Sequence, residues 1–240
     1  MTAKRKTAPR KPPIVDPSPP LPGEILMLKT VRPDGSPCNE RARATGFRWP
    51  LVVGSVVECE KWDPQPICGG GLHGLPWGEG RADLLSTDAD AVWLVFAAPA
   101  DEVVAITEEE GGKSKAPRGV VRYVGARDEA VAYLLAHGAA GRAVVWATVT
   151  GGDWATVTGG DGATVTGGDG ATVTGGDGAT VTGGDRATVT GGVDGTIIVR
   201  HWDGKRSRTH VGYIGEDGVE AGVAYRWDAE AARFVKAVSP

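Results

Sequence analysis

Between Ala147 and Gly192 apolar and polar positions alternate in runs of four, and glycine ends each run. The phrase Ala-Thr-Val-Thr-Gly-Gly occurs six times, beginning at Ala147, Ala155, Ala163, Ala171, Ala179 and Ala187, so the period is eight without a slip. A strict short period means one small structural unit stacked on itself. Alternation within Ala163-Thr164-Val165-Thr166 is the period of a strand with two unlike faces, and β-branched Val and Thr favour extended backbone. Gly167-Gly168-Asp169-Gly170 is a run of turn formers. Two repeats, sixteen residues, supply two strands and two corners, enough for one turn of a flattened two-sheet β-solenoid. Polarity places Ala163 and Val165 inside and sends both threonines to water. The reverse would bury four hydroxyls per coil, each costing roughly 1–3 kcal/mol if unpaired. Only a hydroxyl ladder along the stack would satisfy them. Three coils at about 4.8 Å each give an array of only about 14 Å.

The flanks differ from the array. Trp146 and Trp154 open it and suit a cap over the first coil. Asp194 to Val199 reads as a seventh, more apolar repeat running on as a longer strand. Asp203-Gly204 lies between strand-like runs and signals a hairpin, Gly215 to Gly218 marks a turn, and Val223–Trp227 and Arg233–Val238 read as further strands. Exposed strand edges need such a cap. Upstream, strand-like runs cover Ile25–Val31, Leu51–Glu58, Ala91–Ala98, Val103–Ile106 and Gly119–Val124. One helix is signalled over Glu129–His137, with Asp128 as its cap, Val131, Leu134 and Leu135 on one face, and Gly138 as its stop. The expected fold is β-rich: an N-terminal α+β module (24–142), a short two-sheet β-solenoid of octapeptide repeats (143–195) and a C-terminal β-hairpin cap (196–240), preceded by a disordered tail (1–23).

Composition narrows the function classes. The excess of glycine, 37 of 240 residues against a usual share of roughly 7%, sits mainly in the repeats. A net charge of −4 gives no basic nucleic-acid surface overall; only Lys4, Arg5, Lys6, Arg10 and Lys11 in the proline-rich tail offer an anionic partner anything, and such a tail equally serves as a solubiliser. There is no run of eighteen apolar residues and no apolar stretch after the basic N-terminus, so neither a membrane span nor a secretory signal is expected, and the expected location is cytoplasmic. Three cysteines, Cys38, Cys59 and Cys68, argue against a disulfide framework.

Candidate chemistry concentrates in Cys68-Gly69-Gly70-Gly71-Leu72-His73-Gly74-Leu75-Pro76-Trp77-Gly78-Glu79-Gly80, read as a tight loop leading to a short helix near Ala82–Ser86. Cys68, His73 and Glu79 are its candidate catalytic residues. A zinc site would need Cys38, Cys59, Cys68 and His73, but the Cys-x8-Cys-x4-His spacing lacks the close ligand pairs zinc sites use. A phosphate cradle lacks the Gly-Lys-Ser/Thr that should follow the glycines. A Cys68–His73 nucleophile pair has no spacing logic, and a buried Cys with a hydrogen-bonded His organising a turn explains the same residues. No cofactor and no metal are expected.

Phe47-Arg48-Trp49-Pro50, Val56-Val57-Glu58-Cys59, the Cys68–Gly80 run, Trp202-Asp203-Gly204-Lys205 and Val211 to Gly218 together resemble an uncharacterised family of actinobacterial and phage proteins. That family pairs a CGGGLHGL-type module with tandem Gly/Thr-rich octapeptides. The resemblance covers residues 26 to 235 and implies architecture and setting, with virion association open, and no reaction.

For the array, Thr148, Thr150, Thr156, Thr158, Thr164, Thr166, Thr172, Thr174, Thr180, Thr182, Thr188 and Thr190 form the expected surface. Such Thr-x-Thr grids, about 6.7 Å apart along the strand, resemble ice-binding solenoids, although both faces carry them and each is short. Asp153, Asp161, Asp169, Asp177 and Asp185 fall in corners and superficially suggest a calcium repeat, but the further Asp that repeat needs is replaced by Thr164 or Thr172. Asp as a turn former is the simpler account. The residue after Asp varies through Trp154, Gly162 and Arg186, so that position holds no fixed ligand. The first reading is a non-enzymatic structural or interaction protein whose solenoid is a spacer or binding surface for an unknown macromolecular partner, its ends open to self-association. An enzyme or ligand-binding module around Cys68–Glu79 is the alternative, and ice binding a minor one.

Overall fold

The computed structural model describes residues 14–15, 18–107 and 113–237. The module is built on one antiparallel sheet of β1 (Ile14–Val15), β2 (Glu24–Val31), β3 (Val56–Glu58), β4 (Leu72–Pro76), β5 (Val92–Pro99), β6 (Val104–Ala105), β7 (Ser114–Ala116) and β8 (Arg118–Gly125). The order is β1-β8-β5-β2-β4-β7-β6, with β3 also on β8. Both sheet faces are apolar. Met27, Trp49, Val57, Leu72 and Phe96 form one core; Leu26, Leu28, Leu75, Val95 and Tyr123 form the other, under the helix α2. A four-residue helix α1 (Glu40–Arg43) precedes it in the chain, and α2 spans Arg127–Leu134.

Several expectations are corrected here. Ala126, not Asp128, is the N-cap of α2, and no side chain caps it, so Asp128 lies inside the first turn. The run Leu51–Glu58 is strand only over Val56–Glu58. The glycine-rich stretch holds a strand, β4, because its backbone pairs with β2 on one side and β7 on the other. Glycine at Gly74 lets the strands approach closely: a Cβ there would sit 3.0 Å from the Leu28 carbonyl and 3.2 Å from Phe96. Within the 1–23 segment expected to be disordered, Ile14 and Val15 form β1, paired with Val124 and Tyr123. The basic residues Lys4 to Lys11 lie outside the described residues.

From Thr148 the chain becomes a two-sheet β-solenoid, as its period predicts. Strands β9 (Thr148–Thr150), β11 (Thr164–Thr166), β13 (Thr180–Gly183) and β15 (Thr196–Trp202) stack in parallel as one sheet, and β16 (Ser207–Tyr213) adds to β15 antiparallel. On the opposite side β10 (Thr156–Thr158), β12 (Thr172–Thr174) and β14 (Thr188–Thr190) stack in parallel, and β17 (Ala224–Asp228) and β18 (Arg233–Lys236) complete the sheet. Register is exact to the residue across coils, Val165 lying beside Val149 and Val181. Ala163, Val165, Ala171, Val173, Ala179 and Val181 are buried, so the alanine and valine positions face inward.

Cap and module close the two ends. Ile197, Val199, Ile214, Val219 and Tyr225 fill the last coil, with Trp227 and Phe234 against them. At the first coil, Val144, Val145 and Ala147 join the helix-side core of the module, and Val149 packs against both cores. Trp146 and Trp154 are not lids over that coil. Each takes a corner position at φ 60°, and Trp154 is 72% exposed. Their rings lie over the corner one coil on, where a Cβ on Gly162 or Gly170 would strike the indole.

Candidate functional site

The outer surface of each solenoid sheet is a grid of threonines. On the first sheet Thr148, Thr164, Thr180 and Thr196 form one in-register row, and Thr150, Thr166 and Thr182 a second, which Ile198 continues. On the other sheet Thr156, Thr172 and Thr188 pair with Thr158, Thr174 and Thr190 in the same way. Thr196 is a rung that the count of exact repeats leaves out; its signal was the seventh, degenerate repeat. The rows differ in openness. Thr148, Thr150, Thr156, Thr164 and Thr172 are exposed, whereas Thr158, Thr166, Thr174 and, toward the cap, Thr180, Thr182, Thr188, Thr190 and Thr196 are half-buried, so the grid is less open to water than alternation alone suggests. The second sheet is also obstructed at its end, where Arg226 Nε donates to Thr188 Oγ1 at 2.8 Å.

What keeps the grid regular lies in the corners. Asp153 Oδ1 accepts the Asp169 N–H at 2.9 Å, and Asp169 Oδ1 accepts that of Asp185 at 2.8 Å. On the other edge Asp161 accepts from Asp177 at 3.0 Å and Asp177 from Val193 at 2.8 Å. Each carboxylate therefore caps an amide in the coil that follows, which goes beyond a turn-forming preference and offsets the repulsion of stacked charges. From the third repeat on, the second glycine makes room for it: a Cβ on Gly168 would fall on the Asp153 carboxylate and backbone. The first glycine faces inward, where a Cβ on Gly167 would meet Val173 and Ala171. Sixteen-residue spacing between Asp and the next corner was the available signal for this ladder.

Within the Cys68–Glu79 stretch, His73 and Glu79 are engaged in different places. His73 Nε2 accepts the Gly69 N–H at 3.3 Å, so that nitrogen is committed to the loop backbone. Burial, then the charges of Lys29, Lys113 and Lys115, push His73 down to about 3, which makes it a poor base at neutral pH. Lys115 is fully buried, donates to the Ile67 and Gly69 carbonyls at 2.9 Å each, and lies 5.6 Å from the Trp62 ring. These bonds fix the loop's shape. Glu79 is engaged elsewhere, pairing with Arg142 at 3.0 Å and accepting the Ala143 N–H at 3.2 Å where the module meets the solenoid. Cys38 and Cys59 are half-buried, Cys68 is exposed, and none forms a disulfide. Among the described residues no three His, Cys, Asp or Glu side chains converge into a metal-sized group, and no helix is long and apolar enough to cross a membrane.

Comparison with known proteins gives one consistent group of relatives. The chain is 38% identical over 114 residues to an ice nucleation protein of Xanthomonas campestris pv. translucens, covering 48% of this chain and 7% of that protein. It is 39% identical over 114 residues to the ice nucleation protein InaU of Pantoea ananas, covering 48% and 10%. An ice nucleation protein of Enterobacter agglomerans matches at 39% over 114 residues, covering 48% and 8%. The chain thus spans a tenth or less of the length of these curated relatives. No family model matches, and no solved structure matches.

Proposed function

We propose that this chain is a non-enzymatic protein whose solenoid adsorbs to ice through its threonine grids, with the module and the cap as its two ends. The observation that carries the reading is the in-register stacking of Thr148, Thr164, Thr180 and Thr196 beside Thr150, Thr166 and Thr182 on one flat sheet. Hydroxyls repeated at one coil spacing hold water at regular intervals, and their methyl groups prevent that water from hydrogen-bonding randomly to the protein. Relatives named for ice nucleation support it and bring forward what sequence alone ranked as a minor alternative. Size sets the kind of activity. A nucleating template lowers the freezing barrier in proportion to the ordered area it offers, and this array is about 14 Å long. The expected activity is therefore adsorption to ice that already exists, with little effect on the temperature at which droplets freeze.

The test is ice recrystallisation with the full chain at micromolar concentration. Wild type is expected to slow grain growth, and replacing Thr148, Thr164 and Thr180 together by Lys is expected to weaken that effect at least tenfold while circular dichroism stays unchanged. Grain growth in wild type equal to that in albumin would sink the proposal.

A further inference from the structure

The last coil of the first sheet does not turn its corner. β13 pairs with β15 only as far as Gly183 beside Val199, while β15 runs on through Arg200, His201 and Trp202 with β16 as its sole neighbour. His201 stands sixteen residues after Asp185, where the earlier coils place the amide that caps the preceding carboxylate. In β15 that backbone pairs with β16 instead, His201 lying opposite Arg208. Asp185 consequently ends its ladder. It caps no following coil, and its other oxygen lies 3.2 Å from Arg186 Nε. The Gly184 carbonyl keeps the Ala187 N–H of its own corner at 3.3 Å but lacks the bond from the coil above that Gly152 and Gly168 also accept.

Between the overhanging hairpin and the corner stack lies an open cleft of about 410 Å³. Asp169, Asp185, Arg200, Trp202 and Ser207 line it over a glycine floor, with Thr166 and Thr182 at its border with the threonine grid. Trp202 is 60% exposed, a large ring with no core to fill. The volume is within the range of small-molecule sites, roughly 300–1,000 Å³. The carboxylates of Asp169 and Asp185 are balanced by Arg200 in the lining and by Arg186, 3.2 Å from Asp185, so little net charge is left to select an ion. What remains is a set of hydrogen-bonding groups of both kinds beside an exposed indole face. A ligand that suits it has a ring with an apolar face and hydroxyls around its edge.

We infer that this notch is a carbohydrate-binding site for a neutral hexose unit, with Trp202 as the stacking platform and the terminal Asp185 carboxylate accepting a sugar hydroxyl in place of the missing corner amide. Arg200 and Ser207 complete the polar edge. The site borders the threonine grid at Thr166 and Thr182, but Trp202 and Asp185 lie outside both threonine rows, so the two readings can fail independently.

The test uses the full chain, titrated with cellohexaose, maltohexaose and laminarihexaose and followed by tryptophan fluorescence and calorimetry. Saturable millimolar binding of at least one of them is expected, insensitive to salt and weakened at least tenfold by Trp202→Ala and by Asp185→Ala, with ice recrystallisation unaltered. If Trp202→Ala loses its circular dichroism, Asp185→Ala decides alone, since that side chain supports no following coil. Absence of binding by all three sugars, or binding undiminished in the folded variants, overturns the inference.

Discussion

Gly167, Gly168 and Gly170 follow one another through a single corner, and each is glycine for its own reason. Gly167 points into the core, Gly168 makes way for the Asp153 carboxylate, and Gly170 has φ 67° beneath the Trp154 ring. Gly178 shares that left-handed backbone at φ 65° but faces open space. Gly168→Ala is therefore expected to destabilise the chain by about 1–3 kcal/mol through overpacking against backbone that cannot move. Gly178→Asn, which tolerates positive φ, should cost well under that. Urea unfolding of both variants checks the order; equal midpoints would mean that the carboxylate has somewhere else to go. His73 makes a second residue-scale prediction. Burial first, then neighbouring lysines, lower it from 6.5 to about 3, so between those values the unfolded chain takes up a proton that the native chain refuses. Its contribution is complete above pH 6.5 and is lost as pH falls toward 3. His210, lowered chiefly by burial, acts with the same sign. Asp203 is held at about 2 by hydrogen bonds led by the Arg206 amide, so its contribution is complete at pH 5 and does not change between pH 7 and pH 5. The urea midpoint should drop between pH 7 and pH 5, and His73→Gln should flatten that drop; an unchanged slope would exclude His73 as its source.

Elements in the solenoid are interchangeable only in pairs. Strands that begin sixteen residues apart share a sheet, and those eight apart face each other across the core. Removing Ala163 to Gly178 takes out one whole coil and returns β13 to the sheet it already occupies. Removing Ala163 to Gly170 instead sends the long strand β15, with its partner β16, to the side where β17 must pair with β14. The first deletion is expected to melt as one cooperative unit a few degrees below wild type. The second should lose near-ultraviolet circular dichroism from the cap, where His210 stacks on Trp227 at 3.5 Å. Equal melting of the two would contradict two repeats per coil.

At the scale of the whole molecule, the module is the solenoid's floor. Val145 N–H donates to the Gly78 carbonyl at 2.9 Å, Gly160 N–H to that of Val144 at 3.1 Å, and Ala82 N–H reaches Asp161 Oδ2 at 3.2 Å. Arg127 lies over Trp146 at 5.1 Å. A fragment of residues 143–240 would expose both first rungs, β9 and β10, and the apolar wall of Val144, Val145 and Ala147. Uncovered parallel edges of this kind invite pairing between molecules. The fragment is expected to sediment as oligomers while the full chain stays monodisperse; a monomeric, cooperatively folding fragment would show that the array closes its own end.

Local regularity was legible from the residues alone. An eight-residue period, β-branched alternation and glycine corners require a two-sheet solenoid with Ala and Val inside, because every coil repeats the same short-range choice. The cap strands were legible for the same reason, Asp203-Gly204 turning one of them back on the next. The candidate surface followed from that facing, except for Thr196, which sits in a degenerate repeat. What depended on partners far away in sequence was decided by the tertiary structure. β4 is a strand because β2 and β7 flank it, in a stretch whose glycines suggest only a loop. His73 is held without a proton by burial and by lysines from other strands. Asp153 became an inter-coil cap because stacking brings Asp169 over it, and Trp146 and Trp154 lie flat because glycine stands one coil on. The notch beside Trp202 exists because β16 claims the backbone of β15 and holds it straight. A hydrogen bond is chosen by whichever partner folding brings within reach, and no local pattern states which that will be.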